Sequence, residues 1–182
     1  MSAADLQRIQ VKVLFERTEG FSPVPFIAIF DTWRLQDATS WIDFADYGHL
    51  PDGPLVSLIG FERHVTIDVS DGVAGLLLSW RRGLAGSHEE RFARVVREAF
   101  AIAARLLGNP RCPPGLARSM PVLEVGVNDR LDFPDDEDTE ARLGAPLRAA
   151  LDGVLGAGGY SLERLKGSTR RYVYRAVASR RA

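Results

Sequence analysis

Between Leu55 and Trp80 the chain is occupied almost entirely by three short strand-like runs and the turns that separate them. Leu55 to Phe61 is apolar except for Ser57 and Gly60, which suits a strand buried on both faces. His64 to Val69 alternates apolar and polar residues, the two-residue period of a strand with one covered face. Ser70-Asp71-Gly72 then supplies residues that tolerate a left-handed backbone, a strong hairpin signal, and Val73 to Trp80 follows as a third, mostly apolar run. This stretch therefore predicts a three-stranded antiparallel meander whose middle lies at the centre of a sheet. Just upstream, Trp41 to Asp46 also alternates, with Ile42 and Phe44 facing one way and Trp41, Asp43 and Ala45 the other. The turn-rich loop Asp46 to Pro54 joins it to the meander.

The remaining elements read outward from this centre. Ile9 to Glu16 alternates and is rich in Val and Ile, so it is a strand. Pro25 suits a helix first turn, and Phe26, Ile29, Phe30 and Trp33 then recur at helical spacing as an aromatic face meant for the core. Ser87 and Glu90 form a capping-box pattern ahead of a helix from His88 to Leu107, stopped by Gly108, Asn109 and Pro110. Val122 to Asn128 is a strand, and Glu137 to Leu155 a helix that Pro146 is expected to kink or split. Tyr160–Leu165 and Arg171–Ala178 read as a closing hairpin, with Arg171–Ala178 as an edge strand carrying charge on one face. The order β-α-β-β-β-β-α-β-α-β-β, with three helices and no strict alternation, predicts one α+β domain over residues 1–182. Its sheet is largely antiparallel, with helices on one face and loose ends near 1–7 and 179–182.

At 182 residues the chain is long enough to bury a core without a disulfide, and its single cysteine, Cys112, offers neither a disulfide nor a zinc cluster. No run approaches the length of a membrane span and the first residues carry no apolar signal segment, so the expectation is a cytoplasmic protein away from membranes. The net charge of −1 disfavours bulk nucleic-acid binding. That charge is uneven: residues 1–79 are acidic on balance and residues 80–130 basic, so a local cationic site is still open.

Two stretches carry candidate chemistry. Asp43, Asp46 and His49 combine carboxylates with an imidazole, the minimum for acid–base work, and with Asp52, Glu62 or His64 the ligand types of a divalent metal. Their spacing matches no metal motif, and Asp46 and Asp52 serve equally well as turn-forming residues. The second stretch, Arg81 to Ser87, joins a strand end to a helix start. Gly83 and Gly86 let the backbone approach a ligand, Ser87 opens a helix N-terminus that favours anions, and Arg82 adds a guanidinium beside Trp80. Glu89 and Glu90 oppose an anion there, and a plain capped loop gives the same residues.

Several segments together resemble a family of bacterial proteins of uncharacterised function. They are Phe26-Ile27-Ala28-Ile29-Phe30-Asp31-Thr32-Trp33, Ile42-Asp43-Phe44-Ala45-Asp46-Tyr47-Gly48-His49-Leu50, Gly53-Pro54, Leu58-Ile59-Gly60-Phe61-Glu62 and Asn128-Asp129-Arg130-Leu131. The resemblance spans most of the chain but implies no activity. Asp31 and Phe61 stand where the family pattern has His, and Leu55 where it has Gly. With no complete catalytic set and no cofactor motif, the expectation is a module that binds a small anionic molecule or a partner. The alternatives are a metal-assisted or acid–base enzyme built on Asp43, Asp46 and His49, and a dimeric scaffold joined through the C-terminal edge.

Overall fold

In the computed structural model, which describes residues 5–50, 52–165 and 171–179, eleven regular elements follow the expected order. They are β1 (Ile9–Leu14), α1 (Val24–Gln36), β2 (Asp43–Asp46), β3 (Pro54–Ile59), β4 (Arg63–Asp68), β5 (Gly75–Trp80), α2 (His88–Leu107), β6 (Val122–Val127), α3 (Glu137–Leu155), β7 (Tyr160–Arg164) and β8 (Tyr172–Ala178). The eight strands form one antiparallel sheet in the order β2-β3-β4-β5-β1-β6-β8-β7. β3, β4 and β5 make the meander. The chain's first strand, however, inserts between β5 and β6, so the centre of the sheet is β5–β1 and not the middle of the meander.

Strand alternation sorts the side chains onto two unlike faces. One face carries Val11, Val13, Val56, Leu58, Val65, Ile67, Leu76, Leu78, Leu123, Val125, Tyr172 and Tyr174, all buried in a single core with the helices. α1 contributes Phe26, Ile29, Phe30 and Trp33, as its spacing demanded. α2 contributes Phe92, Val95, Val96, Ala99, Ala103 and Leu106, and α3 packs against α2 through Leu143, Leu147, Ala150 and Leu151. Each large apolar side chain withdrawn in this way contributes about 1.5–3 kcal/mol. Among the described residues the opposite face carries no helix, and its centre is polar: Gln10, Lys12, Ser57, Thr66, Asp68, Ser79, Glu124 and Arg175.

Four local expectations are corrected. β2 begins at Asp43: the Ile42 N–H still donates to the Ile59 carbonyl at 2.8 Å, but the Trp41 N–H turns back to the Asp37 carbonyl at 3.1 Å, so the buried Trp41 closes the turn after α1 instead of opening the strand. α3 runs through Pro146 as one helix, held by the buried residues on either side of the proline. β8 is not an edge strand: it pairs with both β6 and β7, and the edges are β2 and β7. Residues 5–7 are tied down, since Leu6 is buried and the Gln7 side-chain amide donates to the Leu84 carbonyl and accepts from the Leu84 N–H, both at 2.8 Å. Residues 1–4, 51, 166–170 and 180–182 lie outside the described residues, and with them the expected hairpin connection at Lys166–Arg170. Among the described residues no helix is long and apolar enough to cross a membrane.

Candidate functional site

The first candidate stretch is laid out along β2 and the loop after it. Asp43 and Asp46 are three residues apart on a strand, so their side chains leave opposite faces. Asp43 accepts a hydrogen bond from the Phe44 N–H at 2.8 Å, and Asp46 accepts from the Gly48 N–H at 2.8 Å. The second is the turn-forming bond that the sequence allowed for. His49 is exposed and hydrogen-bonds no carboxylate among the described residues. Among those residues no group of three or more His, Cys, Asp or Glu side chains is placed to hold a metal ion.

The second stretch forms the loop between β5 and α2. The capping box is complete: the Glu90 N–H donates to Ser87 Oγ, and the Ser87 N–H donates to Glu90 Oε2 at 2.7 Å. Gly83 and Gly86 both take positive φ, and both face carboxylates. A Cβ at Gly83 would sit 2.8 Å from Glu62 Oε1, and one at Gly86 would sit 2.6 Å from Glu90 Oε2. Arg82 does not stack on Trp80. The chain leaves the sheet after Trp80, so strand alternation no longer applies, and the Arg82 guanidinium lies over Phe61, 4.5 Å from its ring centroid. Trp80 is buried under Arg63 and Arg94, at 5.2 and 4.9 Å. The loop thus offers two carboxylates and a cation already seated on an aromatic ring.

A third constellation, on the helix-free face, is the most complete, and it starts from β1. Alternation that sends Val11 and Val13 into the core sends Gln10 and Lys12 the other way. Lys12 Nζ reaches Asp68 Oδ1 at 2.5 Å, although β4 and β1 are separated by β5. Two inter-strand steps are about 10 Å, and a lysine stem spans them only if nothing stands between. The residue between is Gly75. A Cβ there would meet Lys12 Cγ at 3.0 Å and the Val13 carbonyl oxygen at 2.6 Å. Both charged groups are nearly sealed from solvent, with side chains 9% and 11% exposed. Next along the same row Glu124 on β6 sits opposite Lys12, and Arg175 on β8 opposite Glu124, with Arg175 Nη2 2.6 Å from Glu124 Oε1. Negative and positive groups thus alternate across the face: Asp68, Lys12, Glu124, Arg175.

Above this row a neutral relay ends in a further cation. Arg171 Nη1 donates to Gln10 Oε1 at 3.1 Å, and Gln10 Nε2 donates to Ser79 Oγ at 3.0 Å. Arg171 Nε is buried without a hydrogen-bond acceptor, and among the described residues no carboxylate pairs with this guanidinium. Gln10, Lys12, Glu124, Arg171 and Arg175 line a cavity of about 330 Å³ together with Leu77, Gly126, Val173, Leu165 and residues of the 68–73 turn. That size falls at the lower end of small-molecule sites. Apart from Arg171 and Arg175, read from the sequence as charges on an edge strand, none of these residues stood out, because their partners lie far away in sequence. The usable signals were the polar alternation of Gln10 and Lys12 on an otherwise apolar strand and a glycine inside β5.

The chain matches no protein-family model and no curated protein.

Proposed function

We propose that this protein is a binding module for a small anionic molecule, seated on the helix-free face of the sheet at Arg171. The observation that carries the reading is the Arg171 guanidinium: fixed by Gln10, facing the 330 Å³ cavity, and without a carboxylate partner among the described residues. A guanidinium held in this way keeps its remaining N–H groups in the fork that carboxylate and phosphate oxygens fit. The other two cations in the cavity wall, Lys12 and Arg175, are each matched by a carboxylate, so they shape the site without leaving it strongly positive. The loop at Arg82 supports the reading less well, because Glu62 and Glu90 stand at its two glycines.

Thermal denaturation with inorganic phosphate and with short aliphatic carboxylates tests it. At ten times its Kd a ligand adds about 1.4 kcal/mol of stability, a measurable rise in Tm. Arg171→Ala abolishes the rise and Arg82→Ala leaves it intact. The opposite result moves the site to the β5–α2 loop, and no rise at millimolar ligand in the unaltered protein removes the proposal.

A further inference from the structure

We infer that the ligand of this cavity is dipolar, a molecule with a carboxylate at one end and an ammonium at the other. The inference rests on the anion-site reading and deepens it. Six charged side chains line the cavity: Lys12, Arg171 and Arg175 against Asp68, Asp71 and Glu124. Two opposite pairs cancel within the wall, Lys12 with Asp68 and Arg175 with Glu124. Arg171 and Asp71 are left over, and neither joins an ion pair among the described residues. The residual charge is therefore one cation and one anion. A plain anion satisfies the first and leaves the second, an exposed carboxylate at the cavity rim, to solvent, whereas a dipolar molecule satisfies both.

The geometry separates the two charges. Asp71 stands on the turn between β4 and β5, at the end of the sheet where Gly75 pairs with Leu14. Arg171 precedes β8, whose first residue pairs with Val127 at the opposite end of the strands. The two groups thus approach the cavity from opposite ends, and a ligand that engages both is elongated. Asp71 is also held in place. Its φ of 57° and that of Gly72 at 69° make a left-handed turn closed by the bond from the Val73 N–H to the Ser70 carbonyl. The Asp71 N–H donates to Asp52 Oδ1 at 3.1 Å, and Ser70 Oγ donates to Asp68 Oδ2 at 2.9 Å. Of these bonds only the one to Asp52 involves Asp71 itself, through its N–H, so the exposed Asp71 carboxylate has no hydrogen-bond partner among the described residues.

Calorimetric titration with linear ω-amino acids, from glycine to 8-aminooctanoate, beside unsubstituted carboxylates of equal length, decides between the readings. The amino acids bind with an affinity that rises along the series and, at the length that spans the site, exceeds that of the matched carboxylate about ten-fold, the worth of one charge-assisted hydrogen bond. Asp71→Asn, which keeps the left-handed turn, removes that excess and leaves carboxylate binding unchanged. Arg171→Ala loses both classes of ligand. Equal binding of amino acids and carboxylates, with no effect of Asp71→Asn, overturns the dipolar inference and keeps the anion site. If neither class binds, the dipolar inference falls, and the anion site falls with it when phosphate also leaves the Tm unchanged.

Discussion

Lys12 and Asp68 show how much a single missing side chain controls. Without a Cβ at Gly75 the lysine stem lies flat across β5, and two charges that would otherwise face separate neighbours meet at 2.5 Å under cover. Removing one member leaves the other buried and uncompensated, which costs about 3–5 kcal/mol. Lys12→Met and Asp68→Asn should each show a loss of that order by urea denaturation. The double replacement Lys12→Met with Asp68→Leu, read against Lys12→Met and Asp68→Leu singly, should recover most of it, because matched apolar groups need no partner. Independent, additive losses in the double variant would show that the pair is not coupled. The sequence displayed the individual residues but not the pair. Lys12 and Asp68 are joined only through the placement of β1 beside β5, and no local pattern of apolar residues records which strands are neighbours.

The elements themselves were largely legible, since each is written in a local period: two residues for the strands, three and four for α2 with its complete capping box. The exceptions are places where packing overruled a local signal. Pro146 should break a helix on its own account, for it offers no N–H to the Arg142 carbonyl and its ring crowds the preceding turn. α3 continues regardless, because Leu143, Leu147, Ala150 and Leu151 are buried and hold both halves to α2. Helices in proteins owe most of their stability to such faces. Pro146→Ala should accordingly stabilise the fold by about 2 kcal/mol, the helical penalty of proline less the entropy it removes from the unfolded chain, read as a higher urea midpoint. An unchanged or lower midpoint would mean that the proline ring itself is needed where it lines the shallow groove with His88. In the two candidate loops the local signal and the local structure agree. Asp46 and Ser87 bear functional residue types, but the bonds they make are those of a turn and a cap.

Across the molecule, α3 is fastened to the β7–β8 side of the sheet through two carboxylates, Asp152, which accepts from the Tyr160 hydroxyl at 3.0 Å, and Glu140, which makes more contacts. Glu140 accepts from the Tyr174 hydroxyl at 2.6 Å and the Tyr172 hydroxyl at 2.9 Å, and pairs with Arg148 at 3.1 Å and Arg164 at 3.6 Å. Burial pushes the Glu140 pKa up, but the hydrogen bonds from Tyr174, Tyr172 and Arg148 outweigh it and hold the group below the usual glutamate value. A carboxylate with a depressed folded pKa stabilises the fold above its unfolded pKa and loses that contribution as pH falls through the lower folded value. Stability should therefore decline as pH drops below the usual glutamate range, and Glu140→Ala should flatten that part of the profile. At neutral pH the same variant should also lower the urea midpoint, because the buried Tyr172 hydroxyl loses its acceptor at a cost of about 1–3 kcal/mol. An identical acid limb in the variant would assign it to other carboxylates. The position of β1 has a separate consequence, for synthesis. β1, made before both of its partners, takes the central place in the sheet, with Val13 opposite Leu76 on one side and Ile9 opposite Val127 on the other. On the ribosome the β3–β5 meander can claim it early, but its second edge stays unpaired until β6 has emerged, after the whole of α2. Through that interval the growing chain presents the open edge of an apolar strand, the kind that neighbouring chains and chaperones bind.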